Sequence, residues 1–305
     1  MVIKQQQDQV RYLQFEHYKQ FPELTHGVFM RHGGYSEPPF EGLNTSYGSG
    51  DNVEHVIRNR FLALQTLDIE EYPCATVWQV HGDQVSTLEP QSWEDWGHEW
   101  ARFSYQMDGK RLIWTAKPRR KADAIITNQP DVTLAMSFAD CVPVTFYDPV
   151  HHATGLAHAG WRGTARGIVI ATVEAMQQQF GTRPQDLYAG IGPSIGLCCY
   201  EVSEQVQRLF MGTEEFEDRP TLAPRRNLVQ ASAVFVLQSK NDQQDSSLHL
   251  DLWETNRQQL LAAGLPPAQI EVAGICTRCN VQDFYSHRGE NGKAGRFPVL
   301  LSRHS

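Results

Sequence analysis

His158 follows Cys141 by seventeen positions, and the residues between them include two apolar runs, 142-VPVTFYD-148 and 154-TGLAHA-159, joined by a turn. Paired as an antiparallel hairpin, these runs bring the thiol at the start of one beside the imidazole near the end of the other. A third donor stands in 78-WQVHGDQV-85, where His81 ends an extended run just before a Gly-Asp turn. His, Cys and His make the ligand count of a catalytic zinc site, which keeps its fourth tetrahedral position for water or substrate. The same residues also read as a thiol nucleophile with its imidazole base. They read equally as a small buried thiol and a satisfied core histidine. Residue types and spacing leave these three open. Copper is set aside, because a multicopper site needs paired imidazoles and no His-x-His occurs among the twelve histidines.

The elements that must hold these residues are legible from periodicity. Strand patterns cover 10–17, 24–31, 75–80, 123–128, 132–138, 142–148, 154–159, 186–193 and 270–276. Helical patterns cover 52–67, 164–181, 203–211 and 251–264. Gly181 and Gly264 stop two of them, and Asp251 with Glu254 reads as a capping box. Residues 33–51 are rich in Gly, Ser and Pro and read as loop. The Trp-rich, charged stretch 91–121 reads as a long surface insertion. Continuous apolar strands in the centre require a sheet covered on both faces. The expected fold is therefore α/β, a mixed-sheet sandwich forming a single domain over residues 1–305.

Composition narrows the function. A chain of 305 residues with 41% hydrophobic content buries a sizeable core. A formal charge of -8 argues against a nucleic-acid face, which depends on Lys and Arg to neutralise phosphates. No apolar run reaches the length of a membrane span, and the first residues lack a signal pattern, so the expected location is cytoplasmic, with no membrane partner. Six cysteines without a dense, regular framework point to reduced thiols. Of these, 276-CTRC-279 has zinc or redox spacing without a second pair at a zinc-ribbon distance, and the adjacent Cys198 and Cys199 are assigned to core packing. The 190-GIG-192 motif lacks the third glycine of a dinucleotide site.

The ordered set 78-WQVHGDQV-85, 122-ADAIITNQP-130, 139-ADCVPV-144, 157-AHAGWRGT-164, 190-GIGPSIG-196, 198-CCYEV-202 and 284-FYSHRG-289 resembles the laccase-domain family. These are YfiH-type proteins once labelled multicopper polyphenol oxidases. The resemblance runs from Gly27 to Leu301. It implies one zinc held by His81, Cys141 and His158, and purine nucleosides and phosphate as ligands. It implies phosphorolysis of adenosine, inosine and methylthioadenosine, and deamination of adenosine. The chain departs from the family pattern in the middle of 42-GLNTSYGSGD-51 and at His287, where the family carries Tyr.

Phosphorolysis passes through a cationic sugar, so the site needs groups that grip phosphate and groups that stabilise the departing base. Arg31, Asn44 and Arg288 are the phosphate or substrate candidates, and Arg162 joins Cys141 and Asp140 as the catalytic candidates. Deamination needs an acid near the activated water, a role open to Asp140 or Asp83, with Asp140 alternatively supporting its neighbour Cys141. A metal-free thiol hydrolase and a non-catalytic metabolite-binding protein stand as the alternatives.

Overall fold

The computed structural model describes residues 2–88, 100–107, 110–118, 120–217, 235–239 and 246–305, with only the backbone course of 100–107, 110–118 and 238–239. Among them, two large sheets stack face to face. The first contains, in order, β1 (Val2–Gln7), β2 (Val10–Phe15), β3 (Leu24–Phe29), β16 (Phe297–Arg303), β9 (Val132–Phe138), β4 (Cys74–Ala75), β7 (Lys110–Pro118) and β6 (Trp100–Met107). The second runs β15 (Ile270–Val272), β12 (Tyr188–Ile191), β10 (Val142–Asp148), β11 (Ala153–Ala159), β8 (Ala124–Thr127) and β5 (Val85–Leu88). A separate hairpin pairs β13 (Phe235–Ser239) with β14 (Ser246–Leu250). Both large sheets are mixed: β4 is parallel to β7 and β9, β5 to β8, and β12 to β15, while the other pairings are antiparallel.

Alternation along the strands explains the stacking. In β8, Ile125 faces the layer between the sheets and Ile126 the opposite side; Leu156 and Ala157 in β11 divide the same way. The layer between the sheets also takes Phe15, Met136, Phe138, Phe297 and Leu301 from the first sheet. Outside it, α1 (Val53–Thr66) lays Phe61 and Leu64 on Phe29, Ala135 and Leu300. Beyond the second sheet, α3 (Ile168–Phe180) and α4 (Leu252–Ala262) cover Val144, Phe146 and Ile191. Each large side chain so buried contributes about 1.5–3 kcal/mol relative to exposure. The sheets approach closely: a Cβ on Gly190 would stand 2.7 Å from Phe15 Cζ, so this position has no room for a side chain. No helix among the described residues is long and apolar enough to cross a membrane.

The α/β sandwich expected from the sequence is present, with local corrections. The helix expected over 164–181 is two, α2 (Trp161–Arg166) and α3, because Gly167 at φ +77° caps the first through its N–H and turns the chain. Thr164 is therefore inside α2, its hydroxyl donating to the Ala159 carbonyl at 3.2 Å. The strand expected at 75–80 shortens to Cys74–Ala75, followed by an isolated bridge from Trp78 to Lys121. The insertion at 91–121 contributes β6 and β7 to the edge of the first sheet; residues 91–99, 108–109 and 119 lie outside those described. The alternation of Arg102, Ser104 and Gln106 with Phe103, Tyr105 and Met107 carried that strand signal, obscured by the flanking charge.

One buried histidine makes the fold pH-sensitive. His26 Nε2 accepts the Phe15 N–H at 2.8 Å, and its ring stacks on Phe15. Burial, with the charge of His17 adding to it, pulls His26 down to about 3. The folded state thus refuses a proton that the unfolded chain takes below about pH 6.5, so this contribution is intact above pH 6.5 and is lost as pH falls towards 3. In urea unfolding between pH 6 and 4, the wild-type stability should fall more steeply than that of His26→Gln, by about 1.4 kcal/mol per pH unit. Parallel profiles would refute the assignment.

Candidate functional site

The site forms where the chain passes between the sheets. Strand β9 belongs to the first sheet and β10 to the second, and the corner joining them, 139–141, places Asp140 at φ +79° and Cys141 at the sheet edge. The crossing from β4 to β5 carries His81, itself at φ +59°. Strand β11 pairs antiparallel with β10, Pro143 opposite His158, which brings His158 beside Cys141. The ligand atoms of His81, Cys141 and His158 all lie within 4.8 Å of one another.

Asp123, at the entry to β8, ties the three together. Its buried carboxylate accepts the N–H groups of Val80 (3.2 Å), His81 (2.9 Å) and Gly82 (2.6 Å). It also accepts His158 Nδ1 at 2.8 Å. The Asp123 carbonyl takes the His158 N–H as well. Burial alone would raise the Asp123 carboxyl, but these donors and the His158 charge hold it below the usual carboxylate range. Sequence reading gave Asp123 no role; an acid heading an otherwise apolar strand, 123-DAIIT-127, was the available signal.

The electrostatics of the triad are mutual. Burial pushes the Cys141 thiol up, yet the His158 charge and hydrogen bonds from both histidines bring it down to about 6. Burial pulls His158 down, yet the Cys141 thiolate and the Asp123 carboxylate lift it to about 9. With Nδ1 committed to Asp123, Nε2 is the remaining ligand atom of His158. Gly160 keeps the space clear: a Cβ there would stand 3.0 Å from Cys141 Sγ and 3.1 Å from His81 Cδ2. Two imidazoles, one thiolate and this cradle fit zinc.

A cavity of about 1220 Å³ opens over the triad. Trp78, Trp161 and Tyr200 give it aromatic walls, and Trp78 is 58% exposed. Arg162, Arg288 and Arg296 line it too, along with Arg60 and His287. Arg162 lies over the Trp161 ring at 4.4 Å, and Arg288 donates to the Glu201 carbonyl at 3.2 Å. Asp140 borders the cavity, but its Oδ1 accepts from Thr277 (2.6 Å) and Ser286 (2.7 Å) and its Oδ2 from the Arg288 N–H (2.6 Å). Asp83 is outside the cavity lining. So are Arg31 and Asn44. Arg31 pairs with Glu290 at 3.0 Å and lies over Tyr285, and Asn44 holds Ser49, Asp51, Ser46 and the Arg296 N–H. Arg296 and Trp78 were not singled out from sequence, since lone cationic and aromatic residues in loops carry no distinguishing spacing.

The remaining cysteines correct an expectation. Cys198 is exposed and Cys199 half-buried, and both point towards Cys279. Adjacent residues can converge here because the chain turns through Gly196–Tyr200 and is not extended.

The sequence matches the family described as multi-copper polyphenol oxidoreductase laccase over residues 25–304. A purine nucleoside phosphorylase of Bacteroides thetaiotaomicron is 33% identical over 94% of each chain. The purine nucleoside phosphorylase YlmD of Geobacillus stearothermophilus is 36% identical, over 91% of this chain and 89% of its own. Among solved structures, YfiH of Bacillus licheniformis, described as a hypothetical protein, superposes with a TM-score of 0.76 at 33% identity, over 96% of both chains.

If Asp123 orients the ligands, Asp123→Asn should weaken zinc binding by about 10–100-fold while leaving the far-ultraviolet circular dichroism unchanged. Competition with a chromophoric chelator measures this, and unaltered affinity would remove Asp123 from the account.

Proposed function

The chain belongs to the laccase-domain family of YfiH and YlmD type, and from that footing we propose that it is a zinc-dependent purine nucleoside phosphorylase that also deaminates adenosine. The observation that carries this reading is one cavity that combines the His81–Cys141–His158 triad, aromatic walls and four arginines. A flat purine suits Trp78 and Tyr200, while guanidinium groups suit phosphate.

In the proposed phosphorolysis, a phosphate oxygen bonds to ribose C1′ as the bond from C1′ to purine N9 breaks. Its electron pair leaves on the base, which takes up a proton, and ribose 1-phosphate is the other product. Arg162, Arg288 and Arg296 hold the phosphate and spread its charge. Asp140, saturated by Thr277, Ser286 and the Arg288 N–H, fixes the loop that carries Arg288 and is better suited to positioning than to proton transfer. Arg31 and Asn44 act at a distance: Arg31 braces the 281–290 segment and Asn44 braces Arg296. His81, Cys141 and His158 would hold the zinc, which would supply Lewis-acid chemistry beside the substrate. In deamination, water replaces the amino group at adenine C6 and ammonia leaves.

A second reading has its own observation. Cys141, His158 and Asp123 form a chain in which a thiol lowered to about 6 meets an imidazolium that a buried carboxylate orients. That is also the order of a thiol hydrolase.

Chromatography of inosine and adenosine reactions, with and without phosphate, separates the two. The phosphorylase reading predicts base and ribose 1-phosphate only with phosphate present, loss on chelation, and a fall of at least ~100-fold in Cys141→Ala. Activity that resists chelators yet is lost to iodoacetamide supports the thiol enzyme instead.

A further inference from the structure

Outside the triad, four cysteines from two distant segments meet. The segment after β12 runs alongside the segment after β15: Ser194 bridges to Cys276, Ser194 N–H donates to the Ile275 carbonyl at 3.2 Å, and Thr277 N–H donates to the Ser194 carbonyl at 3.0 Å. This pairing sets Cys198 and Cys199 against Cys276 and Cys279, with all four Sγ atoms within 4.8 Å of one another. Cys279 Sγ is 3.5 Å from Cys198 Sγ and 3.4 Å from Cys199 Sγ.

Core packing does not account for the arrangement, because Cys198 and Cys279 are exposed. One disulfide would use two of the sulfurs and leave the other pair unexplained. A single ion explains all four: with Zn–S bonds of about 2.3 Å, tetrahedral thiolates stand about 3.8 Å apart, inside the range found here. An iron–sulfur cluster divides its four thiolates among two or four irons and would spread the sulfurs wider than one ion does.

We propose that Cys198, Cys199, Cys276 and Cys279 form a second metal site, a tetrathiolate centre for a soft divalent cation of the zinc type, distinct from His81, Cys141 and His158. Four thiols release four protons to solvent on binding, and the centre carries a net charge of -2. The Gly196 N–H already donates to Cys276 Sγ at 3.3 Å, the kind of contact that steadies a ligating thiolate. Arg278 donates to the Cys199 carbonyl at 3.3 Å and brings a cation beside the four sulfurs. With four protein ligands and no open position, the site is structural. It staples two walls of the cavity: one segment carries Ile195 and Tyr200, and the other carries Thr277, which holds Asp140, and leads to Arg288.

Metal analysis tests this in the full chain. The wild type should hold two zinc ions, and Cys141→Ala, which leaves the four cysteines intact, should hold one. Cobalt(II) added to metal-free Cys141→Ala should give thiolate charge-transfer and tetrahedral bands that saturate at one equivalent and are bleached by zinc. These bands should vanish in Cys141→Ala carrying Cys276→Ser and Cys279→Ser. The readout on Cys141→Ala does not depend on whether the serine variants fold. Cys141→Ala with no zinc and no cobalt–thiolate bands overturns the proposal, as does a disulfide among the four found by alkylation and mass spectrometry of protein purified without oxidant.

Discussion

The buried carboxylate of Asp123 is the interaction on which the site depends. Three consecutive backbone N–H groups and one imidazole converge on its two oxygens, so a single side chain sets both the His81 loop and the His158 ring. A carboxylate removed from water carries a large desolvation cost and persists only where donors replace the lost hydration. Here the replacement donors are the backbone of one candidate ligand and the ring of another. The requirement to satisfy the charge and the requirement to assemble the triad are the same requirement.

That arrangement also accounts for local strain. His81 is held at φ +59°, a conformation that costs a residue with a Cβ about 1–2 kcal/mol. Hydrogen bonds to a charged acceptor contribute about 1.5–3 kcal/mol each, enough to offset it. Asp140 repeats the device at φ +79° on the corner between β9 and β10, anchored by Thr277, Ser286 and the Arg288 N–H. Both strained residues lie where the chain leaves one sheet for the other. The stacked sheets therefore supply rigid edges, and the corners between them carry the candidate ligands His81 and Cys141.

Much of this was legible in the sequence. Apolar runs at 132–138, 142–148 and 154–159 located the central strands to within a residue of Val132–Phe138, Val142–Asp148 and Ala153–Ala159, because strands covered on both faces admit few polar side chains. Their hairpin then placed Cys141 beside His158 without further information. What stayed hidden depended on contacts between distant segments. Gly167 broke a helix that periodicity alone would continue. Asp123 acts through the backbone of residues some forty positions away. Cys198 and Cys199 meet Cys276 and Cys279 because β12 pairs with β15, a parallel pairing with no local signature.

The most direct test of the central claim is an anomalous difference map recorded at the zinc edge from crystals of the unmodified protein. The account predicts a peak bonded to both histidines and the thiolate of the triad at about 2.0–2.3 Å, with one position facing the cavity. Crystals grown with zinc present that show no peak between His81, Cys141 and His158, and the thiol in direct contact with the His158 ring, would contradict it.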